Sequence, residues 1–386
     1  MKIAWALGGL ITIVTVILAL SRHPSWQRVL HWLPVPLWCY ALPMIAVACG
    51  WLPHEQASHS LYRPLTDQLL PVALGLLLLG VDLPAIIRVG GRALLAAAIG
   101  AFGIVVGTPM GVWLLRSNLP LEAWKGAGAL AGTWTGGTMN LLSLRTVLGT
   151  PDSIFAPLIA VDAIMAYSWM ALLVVASGFQ NQINRWLSAA DSLHTSHSTA
   201  SAHESAPGGW PSAIVAAFLA LGLASGARMV AMHLPTSQFI NSSSGWAVLF
   251  VTSVALGLSL IPTLRRIGAS GSRLGYPCLY LVLAATGAQA SVSGLWSAPA
   301  WLLVGVVAVI VHGGVLLLAG RLFRMSFGML ATASQANIGG LVSAPMVGAV
   351  YSQDLAPIGL LLAIAENAVG TYLGLLAALL ARLLTG

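Results

Sequence analysis

Apolar runs of about 17 to 25 residues recur along the whole chain, and no other feature of the sequence restricts its fold as strongly. Each run is long enough to cross a hydrocarbon core of roughly 30 Å as an α-helix. A lipid-buried segment must satisfy its own backbone hydrogen bonds, so each run should be helical. We predict spans at 3–20, 35–52, 68–84, 93–115, 126–149, 154–177, 211–233, 245–261, 275–293, 298–320, 327–350 and 355–381.

Charged residues make up only 7% of the 386 residues, against about a quarter in soluble domains. The sequence therefore predicts an all-α polytopic membrane protein with about 10–12 transmembrane helices. The first run follows Lys2, exceeds the usual length of a signal peptide and has no cleavage site after it, which favours a first membrane helix. The net charge of +7 reflects arginines in short loops and indicates orientation, so no nucleic-acid partner is expected.

Two of the predicted spans contain a glycine pair. Residues 132–144 read GTWTGGTMNLLSL, and residues 334–348 read SQANIGGLVSAPMVG. When the two pairs are aligned, an intramembrane acid follows each at nearly the same distance: Asp162 after the first pair and Glu366 after the second. Matching interruptions in the two halves of a chain are typical of transporters built from inverted repeats.

The predicted organisation is therefore two inverted transmembrane repeats, 1–177 and 211–386, each with a discontinuous helix. A Ser-, Ala- and His-rich segment, 178–210, joins them as a flexible linker. Its histidines His194, His197 and His203 could bind a metal, but a disordered linker is the favoured interpretation.

Small polar residues surround both glycine pairs and form the predicted substrate- and ion-binding site. Their neutral oxygens suit Na⁺ and can also hydrogen-bond a polar solute, whereas close helix packing is the competing explanation. The predicted site residues are Thr133, Thr135, Gly136, Gly137, Thr138, Asn140, Ser334, Gln335, Asn337, Gly339 and Gly340.

Four further polar residues within spans are candidates for proton coupling: Asp162, Glu366, Asn367 and His312. A charge at bilayer depth is costly, so such acids should be protonated or paired inside the protein, in a coupling or a purely structural role. Arg145 could bind an anion, but snorkelling to the interface is favoured. The cysteines Cys39, Cys49 and Cys278 lie in apolar spans and are expected to be free, so neither a disulfide nor a metal site is predicted.

Arginine clusters constrain the topology. Arg88 with Arg92, then Arg265 with its neighbours, and Arg321 with Arg324 should all be cytoplasmic, which is incompatible with twelve simple crossings. Either the two glycine-pair segments are re-entrant, or 211–233 does not cross the membrane. The sequence leaves these alternatives open.

The paired signatures GTWTGGTMN with VDAIMAYSWM, and ASQANIGG with ENAVGTYLG, resemble those of the YjcL-like family of bacterial membrane proteins, a domain-of-unknown-function group. That family is grouped with bile-acid/sodium symporters and cation:proton antiporters. The resemblance implies inverted repeats and two crossing discontinuous helices, with Thr135 to Asn140 and Asn337 to Gly340 at the crossing. The chain departs from the family pattern at Ser291-Val292, where an acidic residue is expected.

The sequence thus predicts a secondary active transporter that moves a small polar or anionic solute by alternating access. Coupling to H⁺ or Na⁺ is expected, without a cofactor or a bound metal. An intramembrane enzyme and a passive channel or structural membrane protein are the alternatives, although no catalytic motif points to an enzyme. The expected partners are the lipid bilayer, a small-molecule substrate and, as an open possibility, a second copy in a homodimer.

Overall fold

The computed structural model of this protein describes residues 2–26, 35–53, 62–84, 90–189, 209–237, 240, 242–290 and 298–386. All the regular structure in these residues is helical, and each predicted span coincides with a helix or with two helices separated by a short break. The all-α fold class is confirmed. The helices are α1 (Lys2–Ser21), α2 (Val35–Ala48), α3 (Tyr62–Leu78), α4 (Gly91–Leu114), α5 (Ala123–Trp134), α6 (Gly137–Leu148), α7 (Asp152–Ala176), α8 (Gln180–Leu187), α9 (Trp210–Ala231), α10 (Ser243–Ser259), α11 (Pro262–Ala269), α12 (Ser272–Gln289), α13 (Ala298–Phe323), α14 (Phe327–Tyr351) and α15 (Leu355–Thr385).

By length and composition, 6 helices in the described ranges could each cross a membrane, or up to 7 if the bent pair α10–α11 counts as one span. Other helices are shorter than that standard requires: α2 has 14 residues, and α5 and α6 have 12 residues each. The predicted total of about 10–12 spans therefore stays a prediction.

The helices form two compact units, and each unit takes segments from both halves of the sequence. The first unit comprises Met1–Val81, Leu142–Ala163 and Ser205–Ala298. The second unit comprises Asp82–Leu141, Ile164–Glu204 and Pro299–Gly386. The two compact units therefore do not coincide with the predicted sequence repeats 1–177 and 211–386. The inverted relation of those repeats stays a prediction.

Small residues let the helices of the first unit pack closely. One face of α9 carries a buried alanine at nearly every helical turn, at Ala213, Ala216, Ala220, Ala224, Ala227 and Ala231. A Cβ added at Gly75 of α3 would lie 3.2 Å from that of Ala220. Close approach of this kind is the usual basis of helix association in lipid, where water supplies no hydrophobic drive.

The second unit uses glycine for the same purpose. Along α4, a Cβ added at Gly103 would lie 2.8 Å from the Cα of His312, and one added at Gly107 would lie 2.8 Å from the Cα of Ala308. These spacings bring α4 against α13 with no room for larger side chains. The contact also fixes the position of His312.

Both glycine pairs interrupt helices. Helix α5 ends at Trp134, a turn follows, and α6 begins at Gly137, whose φ is +74°. In α14 the backbone leaves helical geometry at Gly340, with φ 74° and ψ −154°. The second glycine of each pair thus has the same positive φ, which L side chains rarely adopt.

At Gly340, α14 folds back on itself as a helical hairpin. The rings of Phe327 and Tyr351 have centroids 5.6 Å apart, whereas a straight helix would separate these residues by roughly 36 Å. Gln335 on one arm donates a hydrogen bond to Ser343 on the other at 2.9 Å. Both ends of α14 therefore lie together, which favours the re-entrant alternative for this segment.

The predicted linker 178–210 begins too early. Residues 180–187 form α8, whose Leu187 is fully buried and whose Asn184 accepts a hydrogen bond from the backbone N–H of Phe327 at 2.7 Å. The segment is polar in composition but amphipathic, and Ile183 and Leu187 pack against the hydrophobic cluster that includes Phe327 and Leu330 of α14. The predicted flexible remainder with its three histidines, and the departure at Ser291-Val292, lie outside the described residues, as does Arg88.

Candidate functional site

The breaks at both glycine pairs lie against the middle of α15, within the second unit. Residues of the α5–α6 break contact Asn367, Gly370 and Thr371, and the α14 hairpin contacts Glu366. A single short stretch of α15, residues 366–371, therefore contacts both breaks. We call the buried polar side chains there the inner polar cluster: Asn140, His312, Ser334, Gln335, Asn337, Glu366 and Thr371.

Glu366 and Asn337 form the pair at the hairpin. The Asn337 amide nitrogen donates to Glu366 Oε1 at 2.5 Å and to the backbone oxygen of Ala97 at 3.4 Å. Glu366 is 4% exposed and Asn337 1%. The second oxygen of each side chain, Glu366 Oε2 and Asn337 Oδ1, is buried without a hydrogen-bond partner, as is Gln335 Oε1.

His312 and Ser334 form a second set of contacts on the same hairpin arm. His312 Nδ1 lies 2.8 Å from the Gly100 backbone oxygen, and His312 Nε2 lies 2.7 Å from Ser334 Oγ. Trp169 donates its indole N–H to Ser334 Oγ at 2.8 Å. His312 is completely buried, so all its polar contacts are within the protein.

Asn140 fastens the α5–α6 break to α15. Its amide nitrogen donates to the backbone oxygens of Gly136 and, at 3.1 Å, of Asn367, while its Oδ1 accepts a hydrogen bond from the Thr371 hydroxyl. A Cβ added at Gly370 would lie 2.7 Å from the Gly136 Cα. The backbone of the break therefore contacts α15 directly, which only glycine permits on both sides.

The second unit contains every predicted binding residue, from Thr133 to Asn140 and from Ser334 to Gly340, together with Glu366, Asn367 and His312. The Thr135 hydroxyl donates to the Ala131 backbone oxygen of its own helix at 2.8 Å, whereas Thr133 Oγ1 is buried without a partner. Asp162 belongs to the first unit and is half-buried, and its proposed role in proton coupling stays a prediction.

Arg145 does not snorkel, so that expectation is wrong. Within the first unit its guanidinium donates to Asp152 at 2.6 Å and to the Thr286 hydroxyl at 3.0 Å, and it lies over the Phe155 ring. The ion pair joins the end of α6 to the start of α7, and burial between helices makes pairing more favourable than exposure of the charge. No bound anion is needed to account for Arg145.

Sequence reasoning missed the residues that complete the cluster: Gly100, Trp169, Gly370 and Thr371. Gly100 and Gly370 lie where another residue approaches too closely for a Cβ, and the glycine spacing along α4 was a usable signal. Trp169 lies inside the predicted span 154–177, where a tryptophan carries no local signal of a polar role. Its partner Ser334 is 165 residues away, so no local pattern identifies it.

Within the described residues no group of three or more His, Cys, Asp or Glu side chains could hold a metal ion. The three cysteines are free, and Cys49 is exposed rather than buried because it lies at the end of α2.

Comparison with known proteins identifies relatives over nearly the whole chain. A family model described as "Protein of unknown function (DUF819)" matches residues 8–384. The chain is also 23% identical over 389 residues to a protein of Bacillus subtilis (strain 168) described as "Uncharacterized membrane protein YjcL", with 96% of each chain covered.

Proposed function

The chain belongs to the DUF819 family of proteins of unknown function, and we propose that it is a secondary active transporter of a small polar or anionic solute. It would act by alternating access in the bacterial inner membrane, coupled to H⁺ or Na⁺. The placement among bile-acid/sodium symporters and cation:proton antiporters is part of this proposal.

One observation supports the proposal most: two interrupted helices meet one buried stretch of α15, Glu366 to Thr371. Non-helical backbone within a membrane is tolerated where protein buries it or where it lines a polar cavity. Breaks of this kind supply carbonyls, amides and half-helix ends to solutes and coupling ions in transporters. A protein that used its helices only as a scaffold would have no need of such breaks.

The unpaired buried oxygens indicate which residue would bind the coupling ion. Glu366 Oε2, Asn337 Oδ1 and Gln335 Oε1 are buried with no donor in the described structure. Leaving a buried polar atom unpaired costs about 1–3 kcal/mol, so a bound species at these atoms is favoured. A proton on Glu366 Oε2 or a Na⁺ ion beside it would give that oxygen a partner, and Glu366 is therefore the proposed coupling residue.

The proposal can be tested on the purified protein even though its solute is unidentified. Melting temperature would be measured with Na⁺ replaced by K⁺, at two pH values, and against a panel of small metabolites. A stabilising solute would then be followed into proteoliposomes under an imposed Na⁺ or pH gradient. Accumulation against its gradient is the expected result. Equilibration that responds to neither ion gradient would contradict coupled transport and favour the passive channel.

A further inference from the structure

We infer that His312 is a positioning residue, held as the neutral Nδ1–H tautomer in a one-directional hydrogen-bond chain that fixes the hairpin arm beside Glu366. The inference refines the proposed function, because His312 is among the residues that the sequence suggests for proton coupling. The chain runs from Trp169 through Ser334 and His312 to Gly100.

The two ends of the chain determine its direction. A backbone oxygen can only accept, so His312 Nδ1 must carry the hydrogen that bonds Gly100. An indole N–H can only donate, so Ser334 Oγ accepts from Trp169. The Ser334 hydroxyl then has one hydrogen left, and His312 Nε2 is the acceptor at 2.7 Å. Every donor and acceptor in the chain is used once.

A charged imidazolium does not fit these contacts. With a hydrogen on both ring nitrogens, Ser334 Oγ would accept from both Trp169 and His312, and its own hydroxyl hydrogen would have no acceptor among the described contacts. No carboxylate is hydrogen-bonded to His312 among the described contacts, and a buried charge needs a paired partner. The neutral tautomer therefore satisfies the site, and the charged form does not.

The hydrogen-bond chain positions Asn337, and through it Glu366, across one turn of helix. Ser334 and Asn337 are three residues apart on the same arm of α14, so they lie on one face. A Cβ added at Gly100 would lie 3.0 Å from His312 Cε1 and would overlap Asn337 Oδ1. His312 thus holds the arm at Ser334 while Asn337 bonds Glu366.

The titratable groups on the helices that pack around this chain are few. Glu366 on α15 is reached through Asn337, Tyr351 on α14 donates its hydroxyl hydrogen bond to the Leu173 backbone oxygen, and Tyr167 lies on α7 two residues from Trp169. The intramembrane acids on these helices are Glu366 on α15 and Asp162 on α7, so we expect a pH dependence of transport to come from a carboxyl group and not from His312.

Nitrogen NMR of the ¹⁵N-histidine-labelled protein measures the tautomer directly, independently of transport. The protein has 9 histidines, and the His312→Asn variant identifies the His312 signals by difference. We expect a neutral ring protonated at Nδ1 from about pH 5 to pH 8, the range in which an unperturbed histidine titrates. Protonation at Nε2, or a charged ring in that range, would overturn the inference.

Matched variants test the positioning role. Ser334→Ala breaks the chain and leaves His312 in place, whereas His312→Asn removes the ring. We expect both to reduce solute uptake by the same factor within about twofold, with the double variant no worse and the pH profile unchanged. A pH profile shifted by His312→Asn alone would contradict the positioning role. Absence of uptake in the native protein would refute transport while leaving the NMR result to decide the tautomer.

Discussion

Single residues decide where the helices break. Gly340 has φ 74° and ψ −154°, a region of backbone space that is essentially restricted to glycine. An added Cβ at Gly340 would meet nothing within 4 Å, so the need for glycine there comes from the backbone and not from crowding. Gly370 and Gly136 show the opposite case, in which a Cβ would meet a neighbouring helix.

Gly340→Ala should therefore cost about 1–3 kcal/mol of stability and abolish uptake, while the protein still reaches the membrane. The matched control is Gly314→Ala on α13, a helical position with open space around it, which should leave uptake unchanged. Melting temperature and uptake of the identified solute measure the two effects. Equal behaviour of the two variants would show that the strained backbone is not needed.

Glu366→Gln should make transport insensitive to an imposed pH gradient while solute counterflow persists, because the amide cannot exchange a proton. Asp162→Asn is tested beside it, because Asp162 is the other intramembrane acid that the sequence suggests for proton coupling. Proteoliposome uptake with and without a pH gradient measures both. A normal pH response in both variants would make Na⁺, bound by the unpaired oxygens, the better candidate.

At the scale of elements, the two arms of α14 pair in a regular antiparallel register. Phe327 meets Tyr351, Ala331 and Val347 pack in one cluster, and Gln335 bonds Ser343, so each pair steps four residues inward. Four residues are about one helical turn, which keeps one face of each arm towards the other. The pairing leads directly to the tip at Gly340.

This register predicts a disulfide between Gly328→Cys and Tyr351→Cys in a background without Cys39, Cys49 and Cys278. A Cβ added at Gly328 would lie 3.0 Å from that of Tyr351, close to the spacing that a disulfide needs. Oxidation in membranes followed by mass spectrometry should detect the linked peptides. Gly328→Cys with Gly314→Cys serves as the unlinked control, and equal linkage in both pairs would argue against the hairpin.

At the scale of the whole molecule, the arginines and the contacts within the second unit together give a topology. Arg92 begins α4 and Arg324 follows α13, so both should be cytoplasmic. Helix α4 then ends outside, and Trp124 in the first turn of α5 should lie on the same side. Arg382 near the end of α15 lies 5.3 Å from the Trp124 ring centroid, so the end of α15 should also be outside. The hairpin agrees with an outside end of α15. Because α14 returns to the cytoplasmic side, α15 begins there and crosses outward.

Contacts in the first unit place the end of α6 outside as well. Helix α10 runs towards the arginines Arg265 and Arg266 of α11, so its start should be outside. A Cβ added at Gly245 near that start would lie 3.0 Å from the Cα of Val147, at the end of α6. With α5 beginning and α6 ending on one side, the first glycine-pair segment is also expected to be re-entrant.

We therefore expect residue 386 outside and α8, the start of the linker, in the cytoplasm. Helix α8 lies at the Arg321 end of α13, where Arg321 donates to the Trp186 backbone oxygen and its guanidinium lies over the Trp186 ring. A reporter active only in the cytoplasm, fused after Gly386, should be silent. Asn181→Cys on the exposed face of α8 should resist an impermeant thiol reagent in intact cells. Finding both sites on one side would refute the topology and the inverted repeats with it.

The sequence by itself determined the membrane class, the places of the spans and the two glycine pairs at which helices break. These properties depend on apolar length and on local backbone freedom, which neighbouring residues specify. Tertiary structure decided that α14 turns back on itself, that Glu366 bonds Asn337, and that Arg145 is paired with Asp152. These outcomes depend on contacts such as Asn337 with Glu366 and Asn140 with Thr371, 29 and 231 residues apart. Only packing brings such partners together, so no local pattern could have specified them.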